Sequence, residues 1–482
     1  MWYLDFYDNW RKYFMQKKIL EKKPFPKPIS FRKLIGPSFI ILALGLGSGE
    51  IILWPYLVSN YGLGIVWGAI LGISFQYFIN MEIERYALVK GESVFVGLNK
   101  LWHGSAYWFI ISTFVGFGLP GIVAASAELM ANVFGFDNFK WLAIAFLFFI
   151  GLILSLGKTV YGMMEKTTRT IIMFGVPFIF ILAIILASKM HWISLFQGLV
   201  GHGQDYNFLP VGISMVTFLA AFAYSGAGGN LNLTQSIYIK EKGYGMGKYS
   251  HKIAGLFASR GSNQDVKLEG EDCEINEENI KRFKSWWKRI SLEHLLVFWF
   301  VGGLSMLLLM ILSYSTVFGL DSNKEGISFV INEGLVISQT LFPWVGSLFL
   351  FVLGVMLFQT QLGIIDSTSR IMAENFAINK IFKTKNSKIN LSKIYFIFLW
   401  AQIAFGIILF LFNFYEPKQL IVLGAVINSV AMFVHIGLVA WLNNKELPKV
   451  FRPGLLRKII IGFIFLFFGF FSGFVLFSNF FG

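Results

Sequence analysis

The stretch Gly45-Leu46-Gly47-Ser48-Gly49-Glu50 interrupts the first long apolar run of the chain, and Tyr224-Ser225-Gly226-Ala227-Gly228-Gly229-Asn230 interrupts a later one in the same way. Both runs are otherwise long enough to cross a membrane. Each break ends on a polar side chain, Glu50 or Asn230. Glycine weakens a helix, and a cluster of glycines frees backbone carbonyls. In hydrocarbon, freed backbone groups are tolerated only where protein buries them or a cavity hydrates them. Paired breaks in corresponding segments point to a transporter's substrate site.

The rest of the chain fits that setting. Of 482 residues, 56% are hydrophobic and 14% charged, which is too little charge for a water-soluble chain of this length. The apolar residues fall into blocks that predict eleven spans, at 36–58, 62–87, 104–134, 140–157, 168–188, 210–239, 291–317, 343–376, 392–413, 418–443 and 457–480. The fold class is an all-α polytopic membrane protein. The formal net charge of +14 comes from basic residues in the connecting segments. A positive-inside bias accounts for them there, with no nucleic-acid partner implied. The lysine-rich segment 1–35 is expected in the cytoplasm and, with an odd number of spans, the C-terminus outside. Segment 377–391 (Lys380, Lys383, Lys385, Lys388) and segment 444–456 (Lys445, Lys449, Arg452) then lie inside, while 318–342 places Asp321, Glu325 and Glu333 outside. The expected location is the plasma membrane. Cys273 is the single cysteine, so no intrachain disulfide forms.

Met1 to Lys23 reads either as an amphipathic helix on the inner surface or as a solvated basic tail. The one sizeable connector, 240–290, runs from an acidic stretch ending at Glu278 into a basic one that holds Trp286 and Trp287. It reads as a solvated connector whose end hugs the membrane through the tryptophans. Placing the breaks in spans one and six divides the chain into five-span halves, 36–188 and 210–443, with 457–480 as an additional helix. Five is odd, so the second half enters from the opposite side, as an inverted repeat.

Charged and polar groups inside spans mark pathways or pair with one another. Glu50 falls at the start of the outer half-helix, whose positive end favours a carboxylate. With carbonyls freed at Gly45, Leu46 or Gly47 it would make a hard-cation oxygen set; the alternative is a cap or a structural pair. Asn230 holds the matching place in span six. Asn232, Thr234 and Gln235 follow it, as cation lining or as interhelical hydrogen-bond glue. Glu128 and Asp366 are candidates for a proton or ion path, as is His435, although a lone histidine is a weak signal. Arg370 and Glu374 are expected to pair along one helix face, and Glu82, Glu84 and Arg85 to form a structural network. Asn428 adds polar lining in span ten. No nucleotide-binding loop, zinc-protease motif or nucleophile elbow is present, so no ATPase subunit and no enzyme activity are implied.

At these residues the chain resembles the Nramp family of divalent-metal transporters, in a divergent branch. Ile35-Gly36-Pro37-Ser38-Phe39 is similar to that family's Gly-Pro lead into span one, Ala127-Glu128 to its acidic spot in span three, and Met372-Ala373-Glu374-Asn375-Phe376 to the inner end of its span eight. The resemblance implies a LeuT-like repeat of five plus five spans with a metal site between spans one and six. The family's ligating Asp falls on Gly47, its Asn on Glu50, its thioether on Ala227 and its span-six His on Gly229. Loss of the thioether removes the bias toward soft metals. The expected function is a secondary transporter of Mg²⁺ or Mn²⁺ with weak or no proton coupling. Its metal site would use Glu50, Gly45, Gly47, Asn230 and Ala227, and the divalent metal is cargo rather than cofactor. An amino-acid-like symporter on the same fold and a membrane sensor acting through 240–290 are the rivals.

Overall fold

A computed structural model describes residues 22–34, 37–156, 160–250, 268–384 and 389–481. Among them, ten helical segments are long and apolar enough to cross a membrane. They are Pro37–Tyr61 (span one), Leu63–Lys90 (two), Ser105–Phe134 (three), Phe139–Leu156 (four), Arg169–Leu186 (five), Glu277–Val317 (seven), Pro343–Thr384 (eight), Leu391–Leu411 (nine), Pro417–Glu446 (ten) and Leu455–Val475 (eleven). The remaining expected span, 210–239, consists of two short helices, Met215–Ala223 and Thr234–Lys242. Neither reaches across a bilayer alone; together they form span six. Span eight lies centrally, against span three and span nine, and span ten carries span eleven on its flank.

Two limits differ most from the sequence expectation. Span seven begins at Glu277 rather than 291, and span eight continues to Thr384 rather than stopping at 376. The early start of span seven has a local cause. The Asn276 side chain caps the Asn279 N–H, and Glu277 and Glu278 occupy the first turn, where the helix dipole favours them. Phe283, Trp286 and Ile290 then form a buried stripe at helical spacing on an otherwise polar segment.

The chain before span one crosses that stripe as an extended strap. Proline at 24, 26 and 28 favours this conformation. The Phe25 N–H donates to Asn279 Oδ1 at 3.0 Å. Arg282 donates to the Phe25 carbonyl at 2.8 Å, and Trp286 Nε1 to the Pro26 carbonyl at 2.9 Å. Phe25 is buried against the rings of Phe283 and Phe451. Trp286 is therefore core, not a membrane anchor, and Trp287 lies under the Arg85 guanidinium at 3.9 Å. This end of the bundle is the strap end below.

The described part of the connector before span seven is docked rather than solvated. Lys90 pairs with Asp272 at 2.9 Å, and the Gly270 N–H donates to Glu92 at 2.9 Å. Burial pushes the Glu92 carboxyl up, but Lys100, Tyr86 and the Gly270 N–H outweigh it and hold the group below its ordinary value. The helix or tail reading of the N-terminus falls on residues 1–21, outside the described residues. So do Ile35, Gly36, 251–267, Lys385 and Lys388.

Candidate functional site

The first break runs from a helix, Pro37–Gly45, through Leu46 and Gly47 into a π-helical turn, Ser48–Leu53, and on into Trp54–Tyr61. Its carbonyls are not left free, contrary to the expectation. The Gly45 carbonyl accepts from the Gly47 N–H at 2.6 Å, and the Gly47 carbonyl from the Ile51 N–H at 3.0 Å. The Thr360 hydroxyl of span eight contacts the carbonyls of Ala43 and Leu46, at 2.9 and 3.1 Å. Replacing Thr360 with valine keeps the shape and removes that donor. Thermal unfolding in detergent is expected to show a loss of about 1–3 kcal/mol; an unchanged melting curve would show that the hydroxyl is not needed there.

The second break depends on glycine for its backbone. Gly226, Gly228 and Gly229 have φ of 128°, 69° and 52°, values that other residues adopt at a cost. Gln76 of span two stitches the break together. Its Nε2 donates to the Ala223 carbonyl at 2.9 Å, and its Oε1 accepts the Gly228 N–H at 3.0 Å. The Trp54 indole donates to Ser225 Oγ at 2.8 Å. From span ten, Asn428 Nδ2 donates to the Gly116 carbonyl and to the Tyr224 hydroxyl, both at 2.9 Å. Next to it Gly116, Tyr224, Gln361 and Gly424 help line a cavity of about 20 Å³, room for one water.

The breaks pack backbone against backbone. A β-carbon on Gly45 would lie 2.7 Å from Gly226 Cα, and one on Gly49 1.9 Å from the Tyr224 carbonyl oxygen. Here glycine serves close approach as well as helix breaking.

Glu50 sits in the first turn after the break, as expected, with 0% of its surface exposed. Neither carboxylate oxygen has a hydrogen-bond partner. Its Oε1 faces span seven, 3.7 Å from where a β-carbon on Gly302 would lie, and Leu42 and Ile73 flank that glycine. Asn230 faces span three instead, donating to Ser112 Oγ at 2.8 Å and Thr113 Oγ1 at 3.0 Å, with its own Oδ1 buried and unpartnered. The two thus turn toward different neighbours. Ala227 is buried in the second break.

The secondary residues divide. Asn428 joins the second break, as described. Thr234 donates to the Leu231 carbonyl within its own segment, whereas Gln235 donates to Glu84 Oε1 of span two at 2.6 Å and so acts as interhelical hydrogen-bond glue. Asn232 is buried with both amide atoms unpartnered. Glu128 is half-buried on span three, and His435 is buried on span ten beside the carbonyl of Ala431. Asp366 is not a free acid. It pairs with Arg370 at 2.9 Å and accepts from the Tyr395 hydroxyl at 2.7 Å. The expected Arg370–Glu374 pair is replaced by Arg370 with Glu241 at 2.5 Å and Glu374 with Lys240 at 2.8 Å. Glu82 and Arg85 do form the expected network, joined by Arg457 and Asn443, whereas Glu84 turns away from it.

Sequence reasoning missed Thr360 and Gln76. The signal available was a polar run in mid-helix, Gln359-Thr360-Gln361, and two amides one turn apart in span two, Gln76 and Asn80.

Among the described residues, no group of three or more His, Cys, Asp or Glu side chains is placed to hold a metal. Solved structures of the Eremococcus coleocola manganese transporter match this architecture. A histidine-to-alanine variant of that transporter aligns with a TM-score of 0.67 over 95% of this chain and 89% of that one, at 11% identity. A glutamate-to-glutamine variant gives 0.66 over the same shares at 11% identity, and the complex with an aromatic bis-isothiourea compound 0.63, again at 11% identity with 95% and 89% covered. The fold is that of the manganese transporter. No protein-family model and no curated relative matches the chain.

The expected architecture thus holds: a LeuT-like, all-α, multi-pass membrane fold with helices one and six interrupted. At the two positions where the Nramp resemblance places Asp and His, neighbouring spans fill the space. A β-carbon on Gly47 would lie 2.4 Å from Thr360 Cγ2, and one on Gly229 2.3 Å from Asn428 Oδ1. The substitution of glycine there is matched by the packing around it.

Proposed function

We propose that the chain is a secondary transporter that carries divalent cations, Mg²⁺ or Mn²⁺ before softer metals, by alternating access. It is a carrier and not an enzyme. The observation that carries the reading is Glu50: a fully buried acid in the first break, with neither oxygen hydrogen-bonded. Such a group calls for a cation or a proton. Once the breaks part and their present hydrogen bonds open, Glu50, the Asn230 Oδ1 and backbone oxygens around Gly45, Gly47 and Ala227 would supply an all-oxygen donor set, which suits hard ions. For one ion to reach both side chains, the breaks must part from their present backbone contact. That separation is the motion alternating access requires. The strap end, with Lys90, Lys100, Lys240 and Arg457, is the cytoplasmic end of a plasma-membrane protein under this reading.

Proton coupling is weak or absent, because glycine stands at the two positions that handle protons in the resembling family. Proteoliposomes are expected to take up Mg²⁺ or Mn²⁺ down a gradient without acidifying their lumen. Lumen acidification that depends on the metal would contradict this. Amino acids should not be carried, since a carboxylate at the start of the half-helix repels another.

A further inference from the structure

At the strap end a second buried acid, Glu84, lies outside the site described above. We propose that Glu84 and His294 together form a proton-binding site that holds the strap-end halves of spans one and six in place. Glu84 is fully buried on span two, and His294 is fully buried on span seven between the rings of Tyr77 and Phe298. His294 Nδ1 lies 3.3 Å from Glu84 Oε1 and 2.9 Å from Ser38 Oγ. Ser38 has one hydroxyl proton and donates it to Glu293, so His294 Nδ1 is the donor toward Ser38 and Glu84. Glu84 Oε1 also accepts from Gln235, whereas Glu84 Oε2 and His294 Nε2 are buried with no hydrogen-bond partner.

Two half-helices converge on this pair, Pro37–Gly45 through Ser38 and Thr234–Lys242 through Gln235. The charges around it leave room for one more proton. Among the described residues no lysine or arginine forms an ion pair with Glu84. Arg457 of span eleven acts on it from a distance while pairing with Glu82 at 3.2 Å. On the span-six half, Lys240 is held by Glu374 and Glu241 by Arg370. Helix Pro37–Gly45 carries no charged residue, and Glu293 on span seven adds negative charge beside Glu84.

With an ionised Glu84 and a neutral His294 the pair carries one buried negative charge; a proton taken from water at the strap end cancels it. Burying the uncancelled charge is costly, and a shared proton is how such a pair relieves the cost. The loaded form favours the packed strap end, and proton loss favours a hydrated, parted one. Transport would then respond to pH at that end without carrying protons in fixed ratio.

Hydrogen exchange of the full-length protein in detergent tests this without any metal, so its outcome is separate from the cation reading. The readout is the protection of peptides covering 37–45, corrected for the intrinsic exchange rate, at about pH 6 and about pH 8, two values between which the pair as a unit is expected to release its proton. Wild type is expected to lose roughly tenfold in protection at the higher pH, the effect of a one-unit difference in proton affinity between packed and parted forms. Glu84→Gln should stay protected at both values, and His294→Gln should lose the pH dependence. Equal wild-type protection at the two values, or a pH dependence that survives in both variants, would overturn the proposal.

Discussion

Proteoliposomes carrying Glu50→Gln are expected to take up no Mg²⁺ or Mn²⁺ above the protein-free background. Glutamine keeps the size of the side chain and removes its charge. Glu50 is the only acid in either break, so nothing nearby replaces it as an anionic ligand. Loss of an outer partner of a metal ligand already costs about 10–100-fold in affinity, and loss of the charged ligand itself should cost at least as much. Because Glu50 makes no hydrogen bond within the protein, its replacement should leave the melting temperature unchanged or raised. Folding and transport therefore separate in this variant. Uptake equal to wild type would remove Glu50 from the site.

Arg370→Met is expected to destabilise the protein by about 3–5 kcal/mol, because it strands two buried carboxylates without their cation. Arg370 is fully buried and joins Asp366 at 2.9 Å to Glu241 at 2.5 Å, which ties span eight to the strap-end half of span six. Tyr395 donates to Asp366 at 2.7 Å but brings no charge. Arg370→Lys should recover only part of the loss, since an ammonium cannot reproduce the two-sided guanidinium contact. Thermal unfolding in detergent reads both variants. Arg370→Met within about 1 kcal/mol of wild type would show that the acids are neutral without it.

The architecture was legible because hydrophobic blocks and glycine clusters are local signals. Span limits came from apolar runs, and the breaks from Gly45–Glu50 and Tyr224–Asn230. The start of span seven was not legible as membrane helix, because its buried stripe of Phe283, Trp286 and Ile290 alternates with charge. The same alternation made Trp286 look like an interfacial anchor, when the strap's carbonyls are what it meets. Helical spacing also left a choice at Arg370. Asp366 and Glu374 are both four residues away, and only the tertiary neighbours Glu241 and Lys240 decide between them. The partners of the breaks, Thr360 and Gln76, lie on other helices, and a lone hydroxyl or amide does not announce which carbonyl it will meet. For Glu50 and Asn230 the sequence placed both in the breaks, while their facing toward spans seven and three depended on packing.

The central claim is that a divalent ion binds at the two breaks through Glu50. Crystals of the protein soaked in Mn²⁺ test it through the anomalous difference map. The expected result is a peak within bonding distance of a Glu50 carboxylate oxygen, between Gly45–Glu50 and Tyr224–Asn230. A map with manganese peaks elsewhere and none at the breaks would contradict it.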